Sequence, residues 1–499
     1  MKNYITLALV AFVSIATAQT DAEKAAETVN KNTIEGHIYF LADDVLKGRA
    51  TGSPELKIAA SYLANTLRSY GVKPEPSTGT YYQKFNLTQN VPPSFITVKI
   101  NGENYPFAFA IEAKATTISG NAIYLGFGSE EDYKGKDVNG KLIIVKGGTQ
   151  ESSDARAVYG AHTKKQELAI KNGAIGLVEM TVLEEDLWSR MSHSLGKSVK
   201  LPDAIETKNL KKDLIHLWVN TTSEKLKTLG KTEISFDIET DGKKEKTLMT
   251  QNVIGVLEGT DPKLKEEYII YSAHYDHVGI GKPDAVGDSI YNGARDNAIG
   301  TTAVLTVAEN LAKYPTKRSA LFILFTGEEM GFLGSKYYVQ NPVLPLNQMI
   351  YCFNTDGGGY NNTSLATIAG LNRTTAKDKM IEGARTFGLK ALDTDEVAPE
   401  QNLFDRSDNV SFAKVGIPAP TFSTGFDAFD DEINKYYHQS ADEADSLDYD
   451  YLLKFYQGYV LSGRLIANDP EKPFWIKDDK YEAAGNALYG KAVVGPEKK

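Results

Sequence analysis

The sequence of 499 residues contains a single cysteine, Cys352, and only seven histidines. One cysteine excludes an intrachain disulfide and a cluster of thiolate ligands, so a metal site could draw only on histidines and carboxylates. Basic residues are outnumbered as well, with 55 Lys and Arg against 65 Asp and Glu and a formal net charge of −10. This balance argues against nucleic acid as the main partner, because phosphate binding requires a concentrated basic surface.

Apolar runs of membrane-spanning length are also missing from the sequence. Near the N-terminus, Lys2 is followed by an apolar run from Ile5 to Ile15 and by the small residues Ala16 and Ala18, a pattern typical of a secretory signal peptide. The run is too short for a comfortable membrane anchor. We therefore expect residues 1–18 to be a signal peptide cleaved after Ala18. The mature protein should then be secreted or periplasmic, without stable membrane insertion.

Composition and length indicate an ordinary globular protein with more than one domain or with an inserted domain, since 41% of residues are hydrophobic and 24% are charged. The stretch 111–248 is rich in β-type segments and contains no evident cluster of ligands, and we interpret it as an inserted lid or binding domain. The flanking stretches 19–110 and 249–476 are expected to form one interrupted domain. Residues 477–499, rich in Lys and Gly, are expected to be a loose tail.

Three continuous apolar runs in the stretch 249–476 predict strands buried on both faces by helices. The first run ends at His274, the second is followed by Glu328 and Glu329, and the third is followed by Asp356. Ligands of open α/β sheets bind beyond the carboxyl ends of the strands. We therefore expect these four side chains to converge in one crevice.

Three further polar residues extend this set. Asp276 stands two positions after His274, where its carboxylate could accept the imidazole N–H. Asp296 precedes a helical segment, a position that alone would favour a helix cap, and His438 lies in a polar loop. Two histidines and three carboxylates, with a spare glutamate, match a two-metal hydrolytic centre. There a shared Asp would bridge two Zn²⁺ about 3.5–4 Å apart, and the spare carboxylate would take a proton from the water between them.

The order His-x-Asp, Asp-Asn, Glu-Glu, Asp, His resembles that of the exported zinc aminopeptidases related to glutamate carboxypeptidase II. The turn from Gly48 to Ser53 belongs to the same resemblance, as do the segments 325–331, 407–408 and 416–419. The segment 122–146 is similar to the protease-associated insert of that family. The resemblance implies an α/β fold with a doubly wound mixed sheet and helices on both faces, interrupted by a β-rich protease-associated domain.

The resemblance also implies two zinc ions per chain, with these ligands: Asp296 bridging both ions, His274 and Asp356 on one, and Glu329 and His438 on the other. Glu328 is implied as the general base, and Asp276 as the partner of the His274 ring. Where the aminopeptidases of the family often have a bulky apolar residue after the third acid, this chain has Gly357–Gly359. The ligands are unaffected, but the wall of the substrate pocket should differ.

The activity implied is hydrolysis of N-terminal residues from peptide substrates. Three alternatives remain open at this point. Carboxypeptidase cleavage would need Arg295, Arg373 or Arg406 to bind a substrate carboxylate. Glutaminyl cyclisation would use a single zinc, and a receptor-like binding module would have no catalysis. The preferred residue and the oligomeric state do not follow from the sequence.

Overall fold

The computed structural model describes residues 19–196, 198–202, 214–230, 233–395 and 397–490. The expected signal peptide, residues 1–18, lies outside the described residues. The helices of the described part are α1 Asp21–Thr28, α2 Lys31–Leu41, α3 Pro54–Ser69, α4 Glu130–Tyr133, α5 Ala155–Lys171, α6 Glu185–Gly196, α7 Ser223–Thr228, α8 Ile299–Lys313, α9 Leu333–Gln340, α10 Lys377–Thr386, α11 Asn409–Lys414, α12 Asp431–Tyr436, α13 Tyr449–Asn468 and α14 Glu482–Leu488. Within these described residues, no helix combines the length and apolar character needed to cross a membrane.

The strands of the described part are β1 Lys73–Pro74, β2 Tyr82–Val91, β3 Ile96–Ile100, β4 Glu103–Asn104, β5 Ala108–Glu112, β6 Thr116–Tyr124, β7 Leu142–Lys146, β8 Gly176–Thr181, β9 Val199–Lys200, β10 Ile215–Asn220, β11 Ile234–Thr240, β12 Lys244–Leu257, β13 Tyr268–His274, β14 Gly279–Ile280, β15 Ile290–Tyr291, β16 Ser319–Phe325, β17 Met349–Asn354, β18 Leu365–Ala369, β19 Lys390–Ala391 and β20 Thr421–Thr424. The chain divides into two compact units. One contains the residues up to Lys84 and from Thr250 onward, and the other is Phe85–Met249.

The first unit is built on a mixed sheet in which the strands follow the order β19-β18-β20-β17-β13-β16-β12. Strands β16, β13, β17 and β20 run parallel, whereas β12 pairs antiparallel with β16. The three apolar runs form β13, β16 and β17, and nearly all of their residues are buried. The prediction of an α/β fold with a mixed sheet is therefore confirmed.

Helices cover both faces of this sheet. Alternate residues of each strand point to opposite sides, so both faces present apolar side chains that the helices bury. On one side, Tyr271 and Phe322 pack in a core with α1, α2, α3, α8 and α13. On the other side, Ile270 packs in a core with Tyr338 of α9 and Phe412 of α11. Burial of each such side chain is worth roughly 1.5–3 kcal/mol. Packing in these two cores therefore fixes the positions of the strand ends.

The second unit has its own sheet, with strand order β4-β3-β11-β6-β7-β8-β10-β5. Strands β6, β7, β8 and β10 are parallel, and β3 and β5 pair antiparallel with β11 and β10. Because the residues of β3 and β5 pair inside this sheet, the unit begins at Phe85 and not at the expected residue 111. Its end at Met249 adjoins the expected end at 248. The alternation of residues 80–110 resembles an edge hairpin, but the partners of β3 and β5 come from later in the chain.

The described part of the C-terminal segment, 477–490, differs from the loose tail expected for 477–499. Asp479 forms an ion pair with Arg373 (Oδ2 to Nε, 2.7 Å), and the Tyr489 hydroxyl donates a hydrogen bond to the Met349 carbonyl (2.7 Å). The expectation of a loose tail rested on the polar composition of the segment. It did not take into account Tyr481 and Tyr489, which pack against the two cores of the first unit. Residues 491–499 lie outside the described residues.

Candidate metal centre

The carboxyl ends of three neighbouring parallel strands place three of the expected ligands side by side. His274 is the last residue of β13, Glu329 follows β16, and Asp356 follows β17. Asp296 lies just before α8, which begins at Ile299, but it does not cap the helix, because the N-cap position is Ala298 and no side chain makes a cap hydrogen bond there. His438 follows α12 with a positive φ of 54°. The structure therefore brings all five expected ligands together.

Asp296 lies between two groups of potential ligands. Its Oδ1 is 3.3 Å from His274 Nε2, and the same nitrogen is 3.1 Å from Asp356 Oδ1. Its Oδ2 is 3.2 Å from His438 Nε2, which is 3.1 Å from Glu329 Oε2. In each group the ligand atoms lie within 4.8 Å of one another. One carboxylate facing two such groups is the arrangement that a bridging ligand requires.

The pKa shifts of these groups indicate that the site favours positive charge beside its carboxylates. Burial would raise the pKa of Asp296, but hydrogen bonds with His274 and His438 hold it well below its ordinary value. Burial would lower the pKa of His438, yet contact with Asp296 and Glu329 raises it to about 10. Buried carboxylates this close together stay ionised only beside cations. The donor set, imidazoles and carboxylates without thiolates, fits Zn²⁺ or a similar dication.

Glu328 lies beside the two groups and is not part of either set around Asp296. Its side chain is buried, and burial raises its pKa well above the ordinary value, with the neighbouring carboxylates of Asp356 and Glu329 adding to the rise. Gly327 (φ 71°) lets the chain turn directly after β16. The turn is closed by a hydrogen bond from the Leu333 N–H to the Gly327 carbonyl (2.8 Å). Glu328 is thus a buried carboxyl group with a raised pKa, held on a fixed turn beside the expected ligands.

Asp276 is buried close to the site, but its contacts differ from the expected ones. The Nδ1 of His274 lies 3.1 Å from the backbone carbonyl of Asp276 and 3.9 Å from its carboxylate. The carboxylate instead accepts hydrogen bonds from the Thr51 hydroxyl (2.7 Å) and from the backbone N–H of Glu328 (3.2 Å). The backbone carbonyl of Asp276 therefore orients the His274 ring, because it lies nearer to Nδ1 than the Asp276 carboxylate does. The Asp276 side chain holds the main chain at Glu328 instead, and the Asp276 backbone carbonyl makes the contact with the His274 ring that was expected of its carboxylate.

His277 was missed by the sequence analysis. Its Nδ1 lies 2.8 Å from Glu329 Oε1, its ring is 5.4 Å from that of His438, and its Nε2 is buried without a hydrogen-bond partner. Because the ionised Glu329 carboxylate can only accept, the Nδ1–H of His277 is the donor in this hydrogen bond. Oε2 of Glu329 then remains free for a metal. The available signal was its position after His274 and Asp276, but one histidine in a strand-end loop does not show where it points.

A cavity of about 740 Å³, open to solvent, lies over the centre and is lined by all five expected ligands together with Glu328. Its other walls include Gly357–Gly359, Phe426, Ile433 and Tyr437. Modest apolar walls with a few convergent polar groups are typical of small-molecule and peptide sites.

The three arginines considered for carboxylate recognition have different surroundings. Arg295 is paired with Asp442 (3.3 Å) and Arg373 with Asp479 (2.7 Å), so both cations already have an acidic partner. Arg406 lines the cavity and contacts the neutral Gln401 side chain and the Tyr437 hydroxyl. Arg406 is therefore the candidate that remains.

Comparison with known proteins identifies the part of the chain that carries this centre. A family model described as peptidase family M28 matches residues 252–460. The "probable leucine aminopeptidase 2" of Aspergillus oryzae is 25% identical over 363 residues, 68% of this chain and 62% of that protein. Aminopeptidase YwaD of Bacillus subtilis is 30% identical over 202 residues, 40% of either chain. The chain thus spans less than two thirds of the length of these curated relatives.

A solved structure shares the fold over most of its length. The aminopeptidase from Aneurinibacillus sp. strain AM-1 has a TM-score of 0.61 and 21% sequence identity, covering 90% of this chain and 97% of that one. The family match at 252–460 contains β13, β16 and β17 and all five expected ligands. Residues 252–460, which contain the converging ligands, therefore resemble peptidase family M28, and the fold shared with the solved aminopeptidase extends over most of the chain.

Proposed function

We propose that the chain is an exported aminopeptidase that holds two zinc ions and removes N-terminal residues from peptides. The observation that carries the proposal is Asp296, whose Oδ1 faces His274 and whose Oδ2 faces His438, each histidine lying beside one further acid. Relatives that are themselves named aminopeptidases support the choice of reaction.

The ligand set divides in two around this carboxylate. His274 and Asp356 would hold one zinc, and Glu329 and His438 the other. When bound, zinc supplies a Lewis acid for the scissile carbonyl and lowers the pKa of a water. The His274 imidazole, with Nε2 facing Asp296, is oriented for this task by the contact of its Nδ1 with the Asp276 carbonyl.

Glu328 performs the proton transfer in this proposal. Its carboxylate takes the proton of the attacking water and delivers it to the amine of the departing peptide. A base with a raised pKa is suited to both steps, because it can hold the proton between them. Asp276 keeps Glu328 in place by accepting a hydrogen bond from the Glu328 backbone N–H.

The test compares free N-terminal substrates with blocked ones. We expect cleavage of amino acid p-nitroanilides, no cleavage of their N-acetylated forms, loss of activity on chelation and recovery with Zn²⁺ at two ions per chain. Cleavage of acetylated substrates at an equal rate would contradict an aminopeptidase. One zinc per chain at full activity would contradict the two-metal centre, and one zinc per chain without cleavage of the p-nitroanilides would favour glutaminyl cyclisation.

Carboxypeptidase cleavage is the second candidate, and Arg406 is the observation in its favour. This exposed guanidinium lines the cavity and has neutral contacts from Gln401 and Tyr437. If it binds a substrate carboxylate, acyl-glutamyl peptides should be cleaved, and Arg406→Ala should abolish that cleavage. If the enzyme is an aminopeptidase, the same variant should keep its rate on uncharged aminoacyl p-nitroanilides.

Two features of the chain outside the centre belong to the same proposal. Residues 1–18 would direct export, and N-terminal sequencing of the protein recovered outside the cytoplasm should then begin at Gln19. The unit Phe85–Met249 would be the protease-associated domain, extended at its start beyond the expected residue 111. A product that retains residue 1 in the exported fraction would contradict cleavage.

A further inference from the structure

Two charged side chains outside the expected ligand set hold the segment of Asp296. Arg49 lies in the glycine-rich turn after α2, and Asp442 lies in the loop that follows His438. Both are almost fully buried, at 1% and 0% exposure. Neither lines the cavity over the centre. Charged groups are costly to bury, so such groups beside a metal centre call for a physical explanation.

Arg49 binds main-chain carbonyls. Its Nη1 donates to the Asn292 carbonyl (2.6 Å) and its Nη2 to the Gly293 carbonyl (3.0 Å). Its Nε donates to the carbonyl of Tyr275 (2.9 Å), the residue after His274, and Nη1 also contacts the Leu41 carbonyl at the end of α2. One planar guanidinium therefore ties the segment before Asp296 to the segment of His274. A lysine could not reach these carbonyls in the same fixed geometry.

Asp442 binds main-chain amides of the same segment. Its carboxylate accepts hydrogen bonds from the backbone N–H of Arg295 (2.9 Å to Oδ1) and of Asp296 (3.2 Å to Oδ2). The Ala294 N–H donates to its backbone carbonyl (3.2 Å), and the Arg295 guanidinium adds a side-chain contact at 3.3 Å. Since Asp442 follows His438 in one loop, these bonds tie the segment of Asp296 to the segment of the other histidine.

The charges of the two side chains suit these contacts. Burial lowers the pKa of Arg49 to about 10, while Asp296 and Asp442 oppose the fall, so the guanidinium stays cationic at neutral pH. A cation on the carbonyls and an anion on the amides give charge-assisted hydrogen bonds, the stronger class. The segment is therefore held from both sides of its peptide groups.

We infer that Arg49 and Asp442 are positioning residues that set the place of Asp296 relative to both histidines. They do so by fixing the main chain on its carbonyl and amide sides, and this fixes the spacing of the two metal positions. The identity of the metal rests on the proposed function, but the positioning itself does not.

The test is Asp442→Asn, with Asp479→Asn as a matched control. Asp479 is also a buried acid that pairs with an arginine, but it lies in the C-terminal segment away from the centre. We expect Asp442→Asn to weaken zinc binding 10–100-fold in chelator competition, as loss of a supporting contact typically does. In the metal-free protein, the amides of residues 294–296 should exchange with solvent faster than in the parent. Asp479→Asn should lower the melting temperature and change neither readout.

A second variant, Arg49→Lys, keeps the inference testable if Asp442→Asn fails to fold, and the same loss of affinity is expected. Parental zinc affinity together with parental amide exchange in a folded variant would overturn the inference. An equal loss of affinity in Asp479→Asn would also overturn it, because the effect would then be general destabilisation. If the parent protein binds no zinc, the proposed function fails, while amide exchange still decides whether Asp442 holds this segment.

Discussion

Replacing Glu328 with glutamine should separate proton transfer from metal binding. Glutamine has nearly the same shape, so the turn after β16 and the backbone hydrogen bond to Asp276 should persist. It cannot accept the proton of a water. Loss of a positioned general base costs about 10²–10⁴ in rate, which is about 3–5 kcal/mol of transition-state stabilisation. We expect that loss to fall on kcat, with little change in KM.

The same substitution should stabilise the metal-free protein, and the sign follows from the pKa of Glu328. Burial, joined by Asp356 and Glu329, raises that pKa well above its ordinary value. The folded state therefore binds the proton more tightly than the unfolded state. The contribution of this proton binding to folding stability is fully present below about 4.3, the pKa of Glu328 in the unfolded chain. It is lost as the pH rises through the pKa of Glu328 in the folded protein. Glutamine has no charge to bury, so Glu328→Gln should melt higher than the parent at pH 8 after chelation.

The assay measures kcat, zinc content and the melting temperature of the metal-free form together. Glu329→Gln is the matched control, because it changes the adjacent residue in the same way but removes an expected ligand. It should lower zinc content, whereas Glu328→Gln should retain two zinc ions. Parental kcat in Glu328→Gln would refute its role as the base. Loss of zinc in that variant would show that Glu328 is a ligand instead.

Three further substitutions test separate parts of the structure. Gly358→Leu should raise KM and cost about 1–3 kcal/mol of stability by overpacking, because a Cβ there would lie 2.5 Å from the Tyr437 ring. Steady-state kinetics and thermal melting of the variant check both effects. An unchanged KM would contradict the assignment of Gly358 to the wall of the substrate pocket. His277→Ala should weaken zinc binding 10–100-fold in chelator competition, and unchanged affinity would show that its contact with the carboxylate ligand is not needed. Lys165→Met in the second unit should destabilise by about 3 kcal/mol in urea unfolding, because it removes one of the cations around the buried Glu179. Despite burial, hydrogen bonds and charge from His216 and Lys165 lower the pKa of Glu179 to about 2, so in the parent its contribution should be present above pH about 4.3 and fade as the pH falls toward 2.

The part of the centre that the sequence could predict lies at the strand ends. Strands buried on both faces must be apolar throughout, so their limits are visible, and the polar residue that follows each one marks the edge of the sheet. His274, Glu329 and Asp356 follow from this rule because β13, β16 and β17 are neighbours and parallel. The rule needs no knowledge of side-chain directions.

The parts that the sequence could not predict depend on direction or on distant pairing. Asp276 has the spacing of a partner for the His274 ring, but a backbone carbonyl is nearer to Nδ1 than the carboxylate is. His277 lies in the loop after β13, and its ring contacts Glu329 in the loop after the neighbouring strand β16. The start of the second unit was placed at 111 because β3 and β5 pair with strands that occur much later in the chain. An alternating pattern shows that a strand exists but not which strand it joins.

The positioning contacts of Arg49 and Asp442 combine both difficulties. They join residues that are far apart in the chain, and they end on backbone atoms, which every residue has. With Arg49 and Asp442 as positioning residues, we also expect the segment of Asp296 to be held in the absence of metal, since main-chain hydrogen bonds and packing of Ala294 and Ala298 in one core support it. In small zinc domains the metal supplies the folding energy itself. Under the inference drawn for Arg49 and Asp442, the fold would hold the ligands before metal binds, and metal affinity and folding stability would be separate quantities that a single substitution can change independently.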